Sequence, residues 1–452
     1  MKCWLAWLHK RASCWVESLT GQYPPNIRRA TMKRLLSILG VISLLACAAA
    51  AQAGQITLRL THAFPSRDSL FLKPIAEKFM QENPDIRIEL EANATDCPAL
   101  LQQLLRDSVT GALPDMVSSL CYTDMPTLAE RGMLTPLDKL IADDADWKRV
   151  GIEPSALGTT TVKGHVVAIP QSVSASIAYY NMSLIRKVRP DLKNLELSWT
   201  DILSIADDLK KASPDTMPLF FEYYADSYNW SFNSLLLSYG GNVFTEDGKI
   251  GFDSKAGRDA LDLMQRFGQV GMVDMTAEQA RQAFASGKIG IYFASNSRLK
   301  TLTANAGPTL YIETGPFPQS ATDGKLASGG GGVAITSKDP DKIAAAWKFL
   351  KFASGPEAQT MIVKATGFTP VNTIAVKYPA YLGGYYKANP NALPAIEELP
   401  RIKIQNPYPG ENGPRITTVI RDHLQSVITL KQTPAEVLPK MVSDVEKLLP
   451  KH

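Results

Sequence analysis

An α/β fold with material for two or more lobes follows from three features of this 452-residue chain. Its composition, 45% hydrophobic and 20% charged, is that of an ordinary globular protein. Residues 55–120 read strand, helix, strand, helix, strand, an order that demands parallel strands joined by crossover helices. The same helix-then-strand rhythm resumes after residue 198.

Taken in order, "QITLRLTHAF" (55–64) alternates apolar and polar residues as a half-buried strand does. "SLFLKPIAEKFMQENPD" (69–85) places Phe71, Ile75, Phe79 and Met80 at helical spacing and stops at Asn-Pro. "IRIELEA" (86–92) is a second strand, "CPALLQQLLRDSVTG" (97–111) a helix with Pro98 in its first turn, and "DMVSSL" (115–120) a third strand. Ligands of such sheets sit beyond the carboxyl ends of the strands, where His62, Phe64, Cys121 and Tyr122 fall. "GHVVAIPQSVSASIAYYN" (164–181) is two extended apolar runs around a polar centre. "SWTDILSIADDLKKA" (198–212), capped by Ser198 or Thr200, and "NWSFNSLLLSYGGNVF" (229–244), stopped by its glycines, are helices. So are the first parts of 253–273 and 277–295, and residues 339–370 give two helices around a Ser-Gly-Pro break. The chain carries no repeats and no low-complexity linker.

The N-terminus reads as a leader. Lys33 and Arg34 precede the apolar run Leu35 to Leu45, and Ala51-Gln52-Ala53 makes a small-x-small cleavage site. Residues 1–31 then form an upstream extension, 32–53 a signal peptide, and the expected product is periplasmic. "LLAC" (44–47) leaves a lipid anchor on Cys47 as the alternative. Removing residues 1–53 takes away seven basic side chains and one acidic, so the formal charge of +4 becomes about −2. That excludes nucleic acid, which needs concentrated positive charge. Cys97 and Cys121 are the two cysteines left, either a disulfide contributing about 2–4 kcal/mol or two buried thiols. No CxxC or HExxH occurs and the five histidines are scattered, so neither a metal nor another cofactor is expected.

Enzymatic motifs are also missing: there is no G-x-S-x-G elbow, no P-loop, and no G-x-G-x-x-G after a strand. The Asp pairs at 143–144 and 207–208 sit in polar surroundings and read as solvated faces. No catalytic residue is assigned, although a secreted glycosidase can assemble two carboxylates from distant positions. What the residues do offer is a surface for a polyhydroxylated ligand. "EYYADSYNWSFN" (222–233) sets Trp230 and three tyrosines, Tyr223, Tyr224 and Tyr228, among amides and hydroxyls, and an aromatic face covers the apolar side of a sugar or polyol. Ser174 in "QSVSAS" and Ser295 in "YFASNSR" stand at polar interruptions of strands. "NPYPGENGPRI" (406–416) presents Tyr408, Glu411 and Arg415, the last suited to an anionic group.

Several stretches together resemble the extracellular solute-binding proteins of ABC importers, in the carbohydrate group called family 1. They are "SWTDILSIADDLKK", "AFASGKIGIYFAS", "AAWKFLKFASGPEAQ" and "KATGFTPVN". "GGGGVAIT" and "NGPRITTVIRDHL" are most similar to the periplasmic glycerol phosphate-binding members. The resemblance implies a two-lobe periplasmic binding protein fold of type II, with the ligand cleft between lobes joined by crossing strands near 171–178, 313–317 and 368–372. Lobe I would be 54–174 and 316–368, and lobe II 175–315 and 369–452. It implies a monomer that gives a sugar or polyol phosphate to permease subunits with their ATPase; a signalling adaptor on the same fold is the other alternative.

Carried over residue by residue, Ser174, Ser295 and Gly330 match the glycerol phosphate pattern in type. Cys97 and Phe368 stand where that group has Tyr, Tyr122 where it has Glu, and Thr417, two positions past Arg415, where it has a phosphate-side Arg. Trp230 is expected as a stacking platform, Ser174 and Ser295 as hydroxyl contacts, Gly330 as an amide donor and Arg415 as the partner of any anion. His62, Tyr122 and Phe368 are expected to line the cleft. In this architecture the glycines of "KLASGGGGVAIT" (325–336) open a strand at the cleft edge, where bare backbone reaches the ligand.

Overall fold

The structure is a computed structural model that describes residues 54–450, apart from 224–226, 406–407 and 411. The leader, its cleavage site and Cys47, together with Tyr224 and Glu411, lie outside the described residues.

Two sheets organise the chain. Strands β1 (Ile56–His62), β2 (Ile86–Glu91), β3 (Met116–Cys121), β4 (Ile169–Ser174) and β9 (Gly329–Ile335) form the first, in the order β2-β1-β3-β9-β4. Strands β5 (Ser176–Asn181), β6 (Met217–Phe221), β7 (Ile289–Ser295) and β8 (Ile312–Pro316) form the second, in the order β8-β5-β7-β6. β1 and β3 are parallel with Leu60 opposite Met116, as the β-α-β-α-β reading requires. β9 returns antiparallel between β3 and β4, and β5 runs antiparallel to both of its neighbours. Among the described residues no helix is long and apolar enough to cross a membrane.

Local chemistry explains where the helices begin. Helix α1 (Pro65–Glu82) starts four residues before the stretch that carries its period, because Pro65 pre-sets the first turn while Phe64 adopts a left-handed φ of 52°. Helix α2 (Cys97–Thr110) is capped by the Asp96 side chain and stopped by left-handed Gly111. Helix α3 (Trp199–Ala212) has a full capping box between Ser198 and Asp201, which makes Ser198 the cap. Helix α4 (Trp230–Ser238) stops where its glycines were expected to end it, the chain turning at Tyr239 and left-handed Gly240. Further along come α5 (Lys255–Val270), α6 (Ala277–Ala285), α7 (Pro340–Ser354), α8 (Pro356–Thr366) and α9 (Gly413–Ile428).

The core behind the second sheet is aromatic. Trp199, Phe221, Phe267, Phe293 and Phe317 interlock with ring centroids 5.0–6.4 Å apart. Burying each such side chain stabilises by roughly 1.5–3 kcal/mol.

The polar centre of 164–181 turns out to be a change of sheet. Ala175 alone separates β4 from β5, and Asn296 locks it: its side-chain oxygen accepts the Ala175 N–H at 3.0 Å while its own N–H donates to the Ala175 carbonyl at 3.0 Å. The Asn296 amide nitrogen also donates to the Gly367 carbonyl at 2.7 Å. Val173 and Thr369 exchange both backbone hydrogen bonds, so this passage and the one at 367–369 are tied side by side.

Candidate functional site

The loops after β3 and β4, the open end of β9, the start of α1 and the C-terminal ends of β6 and β7 converge on one cavity of about 120 Å³. The first sheet contributes Ser119, Cys121 and Tyr122 from the end of β3, Ser174 from β4 and Gly329 to Gly331 from β9. Opposite stand Glu222 after β6, Trp230 at the head of α4, and Ser295, Ser297 and Arg298 after β7. Phe64, Arg67 and Phe368 close the remaining side. A wider pocket of about 980 Å³ lies against α1 and α6, and Phe64 and Arg298 line both.

Of the residues expected from sequence, Ser174, Trp230, Ser295, Gly330, Tyr122 and Phe368 meet in this wall. His62 and Arg415 are not among its lining residues. His62 is buried, paired with Ser118 across β1 and β3, with Nδ1 3.0 Å from the Ala63 carbonyl. Arg415 is exposed in the first turn of α9. Cys97 and Cys121 are joined as a disulfide, with Cα atoms 5.9 Å apart, and both line the cavity.

Each lining group has a state set by its neighbours. The Trp230 indole N–H donates to the Ala327 carbonyl at 3.0 Å, so the side chain offers the cavity its ring and not its donor. Gly329 packs under that ring, where a side chain would contact both Trp230 and the Ser174 hydroxyl. The Tyr122 hydroxyl donates to the Ser172 carbonyl at 2.8 Å, and burial pushes its pKa up. Ser295 is held by Ser297, whose hydroxyl lies 2.9 Å away and whose N–H donates to the Ser295 oxygen at 3.2 Å.

The glycine run has a tighter job than reaching a ligand. Gly330 has φ +104°, and a Cβ there would strike the Ser172 carbonyl of the neighbouring strand. At Gly331 it would lie 2.5 Å from the Leu120 carbonyl. The bare strand lets β3 and β4 close on β9 from both sides, and its register shifts at Gly331/Gly332 and Gly332/Ala334.

Backbone strain gathers here as well. Phe64 and Ser119 line the cavity, Tyr228 and Asn229 lead into Trp230, and all four have φ between 50° and 54°. Left-handed non-glycine residues cost of order 1–3 kcal/mol each and persist where surroundings dictate them. Tyr408 supplies those surroundings, donating to the Tyr228 carbonyl and Asn229 Oδ1, each at 2.8 Å. Its role is therefore to brace the Trp230 turn. The Tyr228 hydroxyl donates to Asp124 Oδ1 at 2.6 Å. Asp124 is buried, and desolvation raises its pKa to about 7 against that hydrogen bond.

Sequence reading passed over three charged residues of the wall: Arg67, Glu222 and Arg298. Glu222 accepts from the Tyr292 hydroxyl and from Arg281 at 3.2 Å. Arg298 ends the stretch "YFASNSR", and its place directly after a serine-rich strand end was the available signal. Burial first, then the charges of Arg67 and Arg281, push its pKa below the ordinary value.

A model of the bacterial extracellular solute-binding protein family matches residues 64–360. The sn-glycerol-3-phosphate-binding periplasmic protein UgpB of Escherichia coli K12 is 22% identical over 421 residues, covering 87% of this chain and 92% of that protein. Among solved structures, UgpB from Mycobacterium tuberculosis in complex with glycerophosphocholine superposes with a TM-score of 0.75 at 21% identity, over 87% of this chain and 98% of that one. Maltose-bound MalE3 of T. maritima gives 0.72 at 20% identity, over 87% and 100%.

Proposed function

The chain belongs to the bacterial extracellular solute-binding proteins, and from that premise we propose that it captures a small polyol phosphate or sugar in the periplasm and delivers it to an ABC permease. The family is one of binding proteins and not enzymes. The glycerophosphocholine and maltose carried by similar structures support a hydroxylated ligand.

The observation that carries this reading is the cavity itself. It combines an aromatic face at Trp230, hydroxyls at Ser174 and Ser295, and bare backbone at Gly329 to Gly331.

Strand membership supports the lobes proposed above: β1 to β4 and β9 fall in 54–174 and 316–368, and β5 to β8 in 175–315, with Pro316 at the shared boundary. The ligand would sit where the two sets of strand ends meet, and closure would bring Trp230 and Arg298 onto it from one side and Ser174 and Gly330 from the other.

A thermal-shift screen across sugars and polyol phosphates tests the proposal. A true ligand at 100 times its dissociation constant stabilises the fold by about 2.7 kcal/mol, read as a rise in Tm. A flat response to both classes would contradict it.

A further inference from the structure

Two guanidinium groups of the cavity wall, Arg67 and Arg298, keep N–H donors that no described residue takes up. Arg298 has no hydrogen-bond or ion-pair partner among the described residues. Arg67 is buried and donates through Nε to Asp68 at 2.6 Å. Its guanidinium lies over the rings of Phe64 and Phe368, 4.3 and 4.7 Å from their centroids, and its terminal nitrogens have no partner among the described residues. The carboxylate that shares the cavity wall with them, Glu222, is already engaged by Arg281 and Tyr292. Glu278, at the rim, is likewise taken by Arg281 at 3.0 Å.

Around the cavity and its rim Arg67, Arg281 and Arg298 meet Asp68, Glu222 and Glu278, and of the three arginines Arg67 and Arg298 line the cavity with donors left over. Like charges in a desolvated place repel, and an unpaired buried charge is costly until an anion joins it. Arginine forks match the oxygens of phosphate and carboxylate in paired hydrogen bonds, and the aromatic rings beneath Arg67 hold its fork in place. The anion partner expected from sequence, Arg415, is exposed and absent from the lining.

We propose that Arg67 and Arg298 form an oxyanion subsite, so that the cavity selects polyols bearing a phosphate or carboxylate over their neutral counterparts. The inference rests on the ligand-capture reading above and sharpens its ligand class. Trp230 and the serines then take the hydroxylated part, while the two arginines take the charged end.

Calorimetric titration of the mature chain with matched compounds tests it: glycerol, glycerol 3-phosphate and glycerate, then glucose, glucose 6-phosphate and glucuronate. Within at least one set, a charged member should bind at least about 30-fold more tightly than its neutral twin. The phosphate and carboxylate arms identify which oxyanion is preferred. In Arg298→Gln that ratio should fall at least about tenfold, or 1.4 kcal/mol, with Arg298→Lys intermediate because it keeps charge and loses the fork. Unliganded Arg298→Gln should melt no lower than wild type, since it removes an unpaired charge. If that variant does not fold, Arg67→Gln is read in the same way. Neutral twins binding as tightly as charged ones, or a ratio unchanged by Arg298→Gln, would overturn the subsite and leave ligand capture standing. Binding of no member of either set would overturn both.

Discussion

Asp124 shows how a single buried carboxyl can make this protein sensitive to pH. Burial raises its pKa from 3.8 to about 7, so the folded state binds the proton more tightly than the unfolded chain. Stability from this group is full below about pH 4 and is lost as pH rises toward 7. Glu398 acts in the same direction, raised to about 7 by burial against the opposing charge of Arg401. Asp124→Asn keeps an acceptor for the Tyr228 hydroxyl and removes the titration. Urea denaturation at pH 5 and pH 7.5 should show a smaller loss of stability in the variant than in wild type, and equal losses would refute the assignment. Single residues were legible where their chemistry was strong in isolation. Trp230 stood out among polar neighbours, and the Ser174 and Ser295 interruptions broke otherwise apolar strands. Arg67 and Arg298 were not legible, because an arginine's meaning lies in which charges surround it, and that is a property of packing.

At the scale of elements, the glycine strand β9 carries the sharpest expectation. Gly330 combines a left-handed φ of +104° with the Ser172 carbonyl where a Cβ would go. Gly330→Ala should cost about 2–4 kcal/mol by urea unfolding, from backbone strain and steric conflict together. Gly158 is the control, with no heavy atom within 4 Å of where an added methyl would sit and no left-handed φ, so Gly158→Ala should change stability by less than about 1 kcal/mol. A Gly330→Ala protein as stable as wild type would contradict the close-packing role of the run. The order and type of elements could be read from periodicity, and the parallel pairing of β1 with β3 followed from the crossover rule. The ends were harder. Helix α1 begins at Pro65 because Phe64 takes up a strained turn, a choice made by tertiary contacts. The purpose of the glycines was half legible: their place at the cavity was readable from sequence, but the flanking strands that need the space are visible only in three dimensions.

For the whole molecule, the two sheets are joined where Ala175, Asn296 and residues 367–369 bind one another through backbone and amide hydrogen bonds. A change of sheet within a single residue, fixed by one asparagine, is suited to small rotations that leave each sheet intact. The sequence pointed to two lobes through resemblance more than through pattern, since "QSVSAS" reads equally as a turn or a contact until β4 and β5 are seen in different sheets. Ligand contacts made by both halves at once are expected to shift the population toward a closed form. Solution X-ray scattering of the protein, with and without a saturating polyol phosphate or sugar that raises its Tm, tests this. The radius of gyration should fall on binding and recover when the compound is dialysed away unchanged. Identical scattering curves in the two states would contradict closure around a captured ligand.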